Sequence, residues 1–433
     1  MNKTKLLLSF CLGSIITLFV SCKHEPEDIL YGLGNTDAIG QNGSGGGPID
    51  SMDLLKLNEI QVIASHNSYR LHTDQDLYDR VQQLYSTGAL SAIPNPNGWD
   101  YSHLPIKEQL QDYRVRGLEY DIYYDPNGGQ FAKRQGRLIV LDFSTASGIA
   151  ELDNPGFKML HIPDLDYNSS ELTFKGGLMR LKEWSDAHPN HIPVFVNIET
   201  KEETPADALS SLTIPGLPFS LGAIGGGLTK AKAFDANAVM ALDDEIKSVF
   251  GSGLENVFSP DELRGTYSTL PQAVAAGNWP KLKDIRGKVI FIIEGAASDD
   301  YLVSSSVLAG KACFVYTDKL TDDYSSFIIL NSPKDPPNGK GLEIAEAVSK
   351  GFIVRTRSDS DTDEARTGDY SNLDAAIARG AHIISTDYYK ADARAGQPGW
   401  TDFKVDFKDG ANTMFRINPV SAPTKVSLGA LKE

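Results

Sequence analysis

Cysteine is almost missing: the chain has three in 433 residues, at positions 11, 22 and 313. Two of them lie in the first 22 residues, so a body that begins after that segment keeps only Cys313 and has no intramolecular disulfide. Its stability must come from core burial, and Cys313, in "KACFVY", reads as a small buried hydrophobe. An excess of positive charge is missing too. Lys and Arg number 41 against 57 Asp and Glu, a formal net charge of -16. That excludes a nucleic-acid partner, because neutralising phosphates needs a basic surface, and it means an anionic substrate would require a local cation. Beyond the first 22 residues no apolar run approaches the length needed to span a bilayer, and no internal repeat is present. What is there is an ordinary globular composition, 41% hydrophobic, sufficient for one large domain or two modest ones.

The apolar stretch that does exist is "LLLSFCLGSIITLFVSC", preceded by Lys3 and Lys5. This is the charged start and apolar centre of a secretory signal, so residues 1–22 are expected to direct export. Cys22 at its end reads as the lipidated cysteine of an exported bacterial lipoprotein, held at the outer membrane or cell surface. Residues 23–50, including "LGNTDAIGQNGSGGGPID", hold too few apolar groups to pack and read as a flexible tether. Residues 51–433 are then the functional domain, expected to act as a monomer.

Within it, short apolar runs alternate with amphipathic stretches. The runs are "EIQVIAS", "GLEYDIYY", "RLIVLDFS", "IPVFVNIE", "KVIFIIEG", "FIVRTR" and "HIISTDYY". Between them, "PIKEQLQDYRVRG" puts Ile106, Leu110 and Tyr113 at helical spacing, and "SNLDAAIARGA" does the same with Leu373, Ala376 and Ile377. The alternation predicts an α/β fold with a mainly parallel sheet. Seven or eight strands in about 370 residues predict a (β/α)₈ barrel with loop insertions, an open doubly wound sheet being the alternative.

In a parallel barrel the active site lies at the carboxyl ends of the strands, so polar side chains that finish apolar runs are the informative ones. His66 and Asn67 finish the first run, and Glu199 finishes "PVFVNIE". Glu119 and Asp121 are two residues apart on one strand and so face the same way. Two unpaired carboxylates inside a barrel would repel one another, and a divalent cation removes the conflict. The donors are an amide oxygen from Asn67 and carboxylates from Glu119, Asp121 and Glu199. This all-oxygen set suits Ca²⁺ or Mg²⁺ and not zinc. The competing reading is a structural ion network in which Glu119 and Asp121 pair with Arg114, Arg116 or another basic side chain.

Several ordered segments resemble one family. They are "ASHNSY", "YSHLPIKEQL" followed by "VRGLEYDIYYDP", the histidine of "KMLHIPDLD", "FVNIETKE", "NWPKLKDIRGKVIFIIEG", and "RTRSDSDTDEARTGDYSNLDAAIARGAHIISTDYY". Together they are similar to the secreted bacterial calcium-dependent phosphatidylinositol-specific phospholipases C, a group of PLC-like phosphodiesterase barrels, over nearly the whole body after the tether. The resemblance implies that His66 and His161 are the catalytic histidines and that Asn67, Glu119, Asp121 and Glu199 bind Ca²⁺ rather than Mg²⁺. It also implies a phosphoinositide lipid substrate at a membrane surface, cleaved to diacylglycerol and inositol 1,2-cyclic phosphate or inositol phosphate. On this expectation His161 is the acid for the leaving group, and His66 stabilises the phosphoryl oxygens or shuttles a proton. A carboxylate, Glu119 or Glu199, is the base.

Lys201, two positions after Glu199, and Arg355, which finishes "GFIV", are expected to reach substrate phosphate or inositol hydroxyls. Tyr388 or Tyr389 is expected to stack on the inositol ring. His103 reads as structural and remote from the site, and residues 69–100 as a mobile rim. Two alternatives compete. A glycerophosphodiester phosphodiesterase typically follows its first histidine with Arg-Gly, whereas Asn67-Ser68-Tyr69 stands here. The other is a non-catalytic lipoprotein that binds inositol phosphates or glycans.

Overall fold

The structure, a computed structural model, describes residues 54–213, 220–223, 227–408 and 414–422. The proposed signal at 1–22 and tether at 23–50 lie outside the described residues. Among those described, no helix is long and apolar enough to cross a membrane.

Ten strands form one sheet: β1 (Ile60–Ser65), β2 (Gly117–Asp125), β3 (Gly156–Met159), β4 (Val194–Thr200), β5 (Val289–Gly295), β6 (Cys313–Thr317), β7 (Phe327–Ile329), β8 (Ile353–Arg357), β9 (Ile383–Thr386) and β10 (Phe415–Ile417). Eight of them, β1, β2, β4, β5, β6, β7, β8 and β9, pair in parallel and close on themselves through β1 and β2. The barrel expectation therefore holds over the open sheet. β3 adds antiparallel to β2, and β10 antiparallel to β1.

Closure rests on a single register pair, Ala64 opposite Gly117. A Cβ built at Gly117 would stand 2.3 Å from the Ala64 Cβ, so only glycine lets the two backbones approach this closely. The central strands are buried on both faces, which explains why they read as unbroken apolar runs. In β5, Val289 to Ile293 are all buried. Cys313 is buried in β6 without a disulfide partner.

Three sequence expectations fail. "RLIVLDFS" is a 3₁₀ turn at Gln135–Val140, not a strand. Its Leu138 and Ile139 are apolar because they join a second, smaller core over the top of the barrel with Leu77, Val81, Leu90 and Trp99. The same core gives residues 69–100 a helix, Gln75–Ser86, with Leu77, Val81 and Leu84 buried, so that segment is a packed roof. Two barrel strands escaped notice, β6 with five residues and β7 with three, since runs this short do not stand out between turns. The helix in "PIKEQLQDYRVRG" spans only Ile106–Gln111, and Arg114 beyond it takes a left-handed φ of +57°.

Candidate active site

Register decides which side chains meet. Asp121 on β2 stands opposite Glu199 on β4, and Glu199 stands opposite Glu294 on β5. One level below, Glu119 faces Asn197. Residues paired across a sheet share a face, so acidic groups from three neighbouring strands line the barrel mouth in one row. Carboxylate oxygens of Glu119, Asp121 and Glu199 all lie within 4.8 Å of one another.

His66 and Asn67 arrive from β1. The His66 amide still donates to the Thr386 carbonyl at 2.9 Å, continuing the pairing with β9. At Asn67 the chain turns through φ +48°, a left-handed conformation that asparagine tolerates better than most residues. The turn is fixed by Ser68, whose amide donates to the Glu119 carbonyl at 2.9 Å and whose hydroxyl accepts from the Glu119 amide at 2.8 Å. These bonds bring the Asn67 side chain beside β2. Its Nδ2 donates to the Tyr101 hydroxyl at 3.2 Å, while its Oδ1 is buried without a partner.

That unpartnered amide oxygen is one of three. Glu119 Oε1 and Asp121 Oδ1 are likewise buried and accept no hydrogen bond. Buried acceptors left unmade are costly, and a hard cation held by the clustered carboxylates of Glu119, Asp121 and Glu199 would satisfy such oxygens. The residues present therefore fit calcium. The competing reading holds in part: Glu119 Oε2 accepts from Arg355 and Asp121 Oδ2 from Lys201 at 2.8 Å, so each carboxylate has one oxygen in an ion pair with a basic side chain and one without a hydrogen bond. Arg114 lies over the Phe415 ring and Arg116 over Trp184 and Phe415.

Each predicted catalytic histidine holds a carboxylate on its Nδ1. His66 Nδ1 bonds Asp387 at 2.7 Å, and His161 Nδ1 bonds Asp166 at 2.7 Å. Arg357 Nη1 stands 3.1 Å from His66 Nε2. Glu119 Oε1 stands 3.3 Å from the same nitrogen, so Nε2 faces a guanidinium on one side and a carboxylate on the other. Burial, followed by the Arg357 charge, holds His66 well below the ordinary histidine value of 6.5. Burial also lowers His161, against the pull of Asp166. His161 lies near enough to His66 and Glu199 to act on both electrostatically.

The two carboxylates differ. Asp166 is fully buried and accepts from Arg70 twice, at 2.7 Å from Nε and 3.0 Å from Nη2, and from Thr73. Despite burial, the Arg70 charge holds it well below the usual carboxylate range. Arg70 also donates to the carbonyls of Trp99 and Tyr101 and lies 4.4 Å over the Tyr101 ring. Asp387 bonds Arg357 at 3.1 Å, but burial wins there and raises it.

The predicted substrate-binding cations are both paired, Arg355 in the mouth and Lys201 in a neighbouring cleft with His161. Lys201 Nζ lies 2.8 Å from Asp121 and 3.5 Å from Glu199. Burial opposes its charge, but these carboxylates outweigh it and hold its pKa well above the lysine norm. Arg355 donates to Asn331 Oδ1 at 2.9 Å and to Glu119. Arg355 and Arg357 join His66, Glu119, Glu199 and Glu294 around a mainly polar cavity of about 290 Å³.

Two expectations are corrected. Tyr388 and Tyr389 are each 2% exposed and do not face the cavity: Tyr388 packs on Tyr101 and Phe403, and Tyr389 on His103 and Tyr113. The run "HIISTDYY" ends inside the second layer of packing. His103 is not remote, for its Nε2 bonds the His66 carbonyl at 2.7 Å and braces the turn beneath the imidazole.

Sequence reasoning missed Glu294, Asp387, Arg357 and Asp166. The first three finish or follow apolar runs, so the rule that found His66 and Glu199 would have found them. Asp166 sits in the turn after β3, where no strand end marks it.

Solved structures similar to the chain include a calcium-dependent phosphoinositol-specific phospholipase C from a Gram-negative Pseudomonas species, 15% identical, with 85% of this chain and 98% of that one aligned at a TM-score of 0.46. A calcium-dependent phosphatidylinositol-specific phospholipase C from Streptomyces antibioticus is 14% identical over 77% of this chain and 95% of that one, TM-score 0.45. The phosphatidylinositol-specific phospholipase C of Listeria monocytogenes is 10% identical over 77% and 89%, TM-score 0.37. No curated protein matches the chain. The family described as phosphoinositide phospholipase C, Ca²⁺-dependent, matches residues 55–419, almost the whole barrel. The chain belongs to the calcium-dependent phosphoinositide phospholipase C family.

Proposed function

We propose that the protein cleaves the phosphodiester of phosphatidylinositol-type lipids, releasing diacylglycerol and forming inositol 1,2-cyclic phosphate. The observation that carries this reading is the pairing of two carboxylate-anchored imidazoles with a buried set of unpartnered oxygens. Asn67, Glu119, Asp121 and Glu199 are the residues that would hold calcium. When bound there, the ion would lower the pKa of the attacking hydroxyl and offset charge gathering on the phosphoryl oxygens.

The protein's own groups supply the proton transfers. His66, neutral with a lone pair on Nε2, takes the proton of the inositol 2-hydroxyl. The freed oxygen attacks phosphorus, the bond from phosphorus to the glycerol oxygen breaks, and His161 gives its Nε2 proton to that leaving oxygen. Asp387 and Asp166 fix each ring with Nδ1 as the donor, and Asp166 stabilises the imidazolium that His161 must start from. This puts the base on His66 in preference to Glu119 or Glu199, both of which the metal reading already employs. Arg355 and Arg357 orient the phosphoryl oxygens. Lys201 holds Asp121 and Glu199 in place, a positioning role in addition to any contact with phosphate.

Export by residues 1–22, a lipid on Cys22 and a tether at 23–50 would keep this monomeric domain at a membrane that carries its substrate, a reading supported by the sequence pattern. The test is incubation of the purified chain with phosphatidylinositol and with glycerophosphocholine, each with and without a calcium chelator. Cyclic inositol phosphate from the first alone, lost on chelation, is expected. Cleavage of glycerophosphocholine only would overturn the reading in favour of a glycerophosphodiester phosphodiesterase.

A further inference from the structure

Two cavities of different character hold the two histidines. One is the polar mouth, about 290 Å³, walled by His66, three glutamates and two arginines. The other is a cleft of about 230 Å³ with apolar walls at Ile93, Pro94, Tyr123, Ile162 and Ala208 and four polar side chains, His161, Lys201, Glu203 and Thr204. No residue lines both, and the two histidines divide between them: His66 belongs to the polar cavity and His161 to the apolar cleft.

We infer that the apolar cleft is the leaving-group subsite, taking the glycerol and the first acyl methylenes of the lipid. The inference rests on the phosphodiester-cleavage reading and deepens it. A displacement in line at phosphorus puts the attacking and departing oxygens on opposite sides. The nucleophile belongs to a polyol, which requires polar walls, and the departing oxygen belongs to a group that becomes apolar within a few bonds. The cavity containing His66 meets the first need, and the one containing His161 meets the second.

Size agrees with a partial subsite. Pockets that enclose a drug-sized ligand start at about 300 Å³, so this cleft accepts the start of the leaving group and not two whole acyl chains. Its two apolar walls come from different places. Ile93 belongs to the second core and is buried there, while Ala208 lies exposed on the short helix Ala206–Leu209 after β4. Ala92, which also lines the cleft, is exposed as well. Both alanines can therefore be enlarged without disturbing the fold.

The test uses two soluble substrates with one headgroup and different leaving groups: dihexanoyl phosphatidylinositol below its micelle concentration, and glycerophosphoinositol, which lacks acyl chains. Wild type is expected to prefer the acylated substrate in kcat/KM. Ala208→Trp and Ala92→Trp fill the cleft from two separate segments of the chain, and circular dichroism checks that each is folded. Losing contact with about two methylenes corresponds to a fall of about tenfold in the acylated-to-deacylated ratio. Such a fall in either variant supports the assignment. A ratio unchanged in both, or the two substrates losing equally, overturns it while leaving phosphodiester cleavage intact. A wild type inactive on both would instead defeat the functional reading itself.

Discussion

Replacing Asp166 with Asn and Asp387 with Asn should cost similar activity and very different stability. Both carboxylates hold the Nδ1 of an imidazole proposed as catalytic at 2.7 Å. Without that acceptor the ring loses its fixed tautomer, and a general acid or base contributes about a hundredfold or more to rate. Each variant should lose about that much kcat. Their charge environments diverge. Among the described residues Asp166 is the only carboxylate paired with Arg70, whose side chain is 0% exposed, so the substitution leaves a buried guanidinium uncompensated. Breaking a buried pair from one side costs about 3–5 kcal/mol. Spread over the unfolding entropy of a domain of this length, at about 2 cal/mol/K per residue, that is a fall in Tm of about 4–6 °C.

Asp387 pairs with Arg357, whose side chain is 19% exposed and can regain water. Burial already raises the Asp387 pKa, so its charge adds little to stability. Its Asn variant should melt within about 2 °C of wild type. The pH dependence follows with its sign. The native Asp166 pKa lies below the ordinary 3.8, so its contribution is complete above 3.8 and is lost as pH falls through the depressed value. The Tm gap between wild type and Asp166→Asn should therefore be full at pH 7 and shrink below pH 4. Differential scanning calorimetry with initial-rate assays measures both quantities. Equal melting losses in the two variants, or a gap that widens in acid, would refute this account of the two pairs.

The pH profile of kcat/KM should fall on its alkaline side as His161 loses its proton, at a pH below the ordinary histidine value of 6.5, because burial lowers that group. Asp166→Asn removes a group that raises His161, so residual activity should shift that limb to still lower pH; a limb that stays or moves upward would contradict the acid role. Gly117→Ala should destabilise the barrel by about 1–3 kcal/mol, since the added Cβ meets Ala64 at 2.3 Å where β1 and β2 close. Urea unfolding reads that loss, and a stability within about 0.5 kcal/mol of wild type would mean that closure tolerates a wider gap.

How much of this the sequence disclosed depended on how local the signal was. The barrel was legible because strands buried on both faces leave apolar runs such as "KVIFIIEG", and the acidic row was legible because Glu119 and Asp121 obey the two-residue period of a strand. "RLIVLDFS" misled because its leucine and isoleucine pack against a roof formed by residues far away in the chain, so its apolarity reports a different core. Tyr388 and Tyr389 misled for a related reason: position after a strand does not reveal whether an aromatic ring turns towards the mouth or into the layer behind it. Asp166 was invisible because its importance arises from Arg70, His161 and Thr73, which only the folded chain brings together.

The central claim is that the side chains at 67, 119, 121 and 199 serve one hard cation, and calcium titration of the purified chain by isothermal calorimetry tests it most directly. One calcium per chain, with binding weakened at least tenfold in Asp121→Asn, is the expected result. Calcium binding of equal strength in the Asp121→Asn chain, or none to wild type, would contradict it.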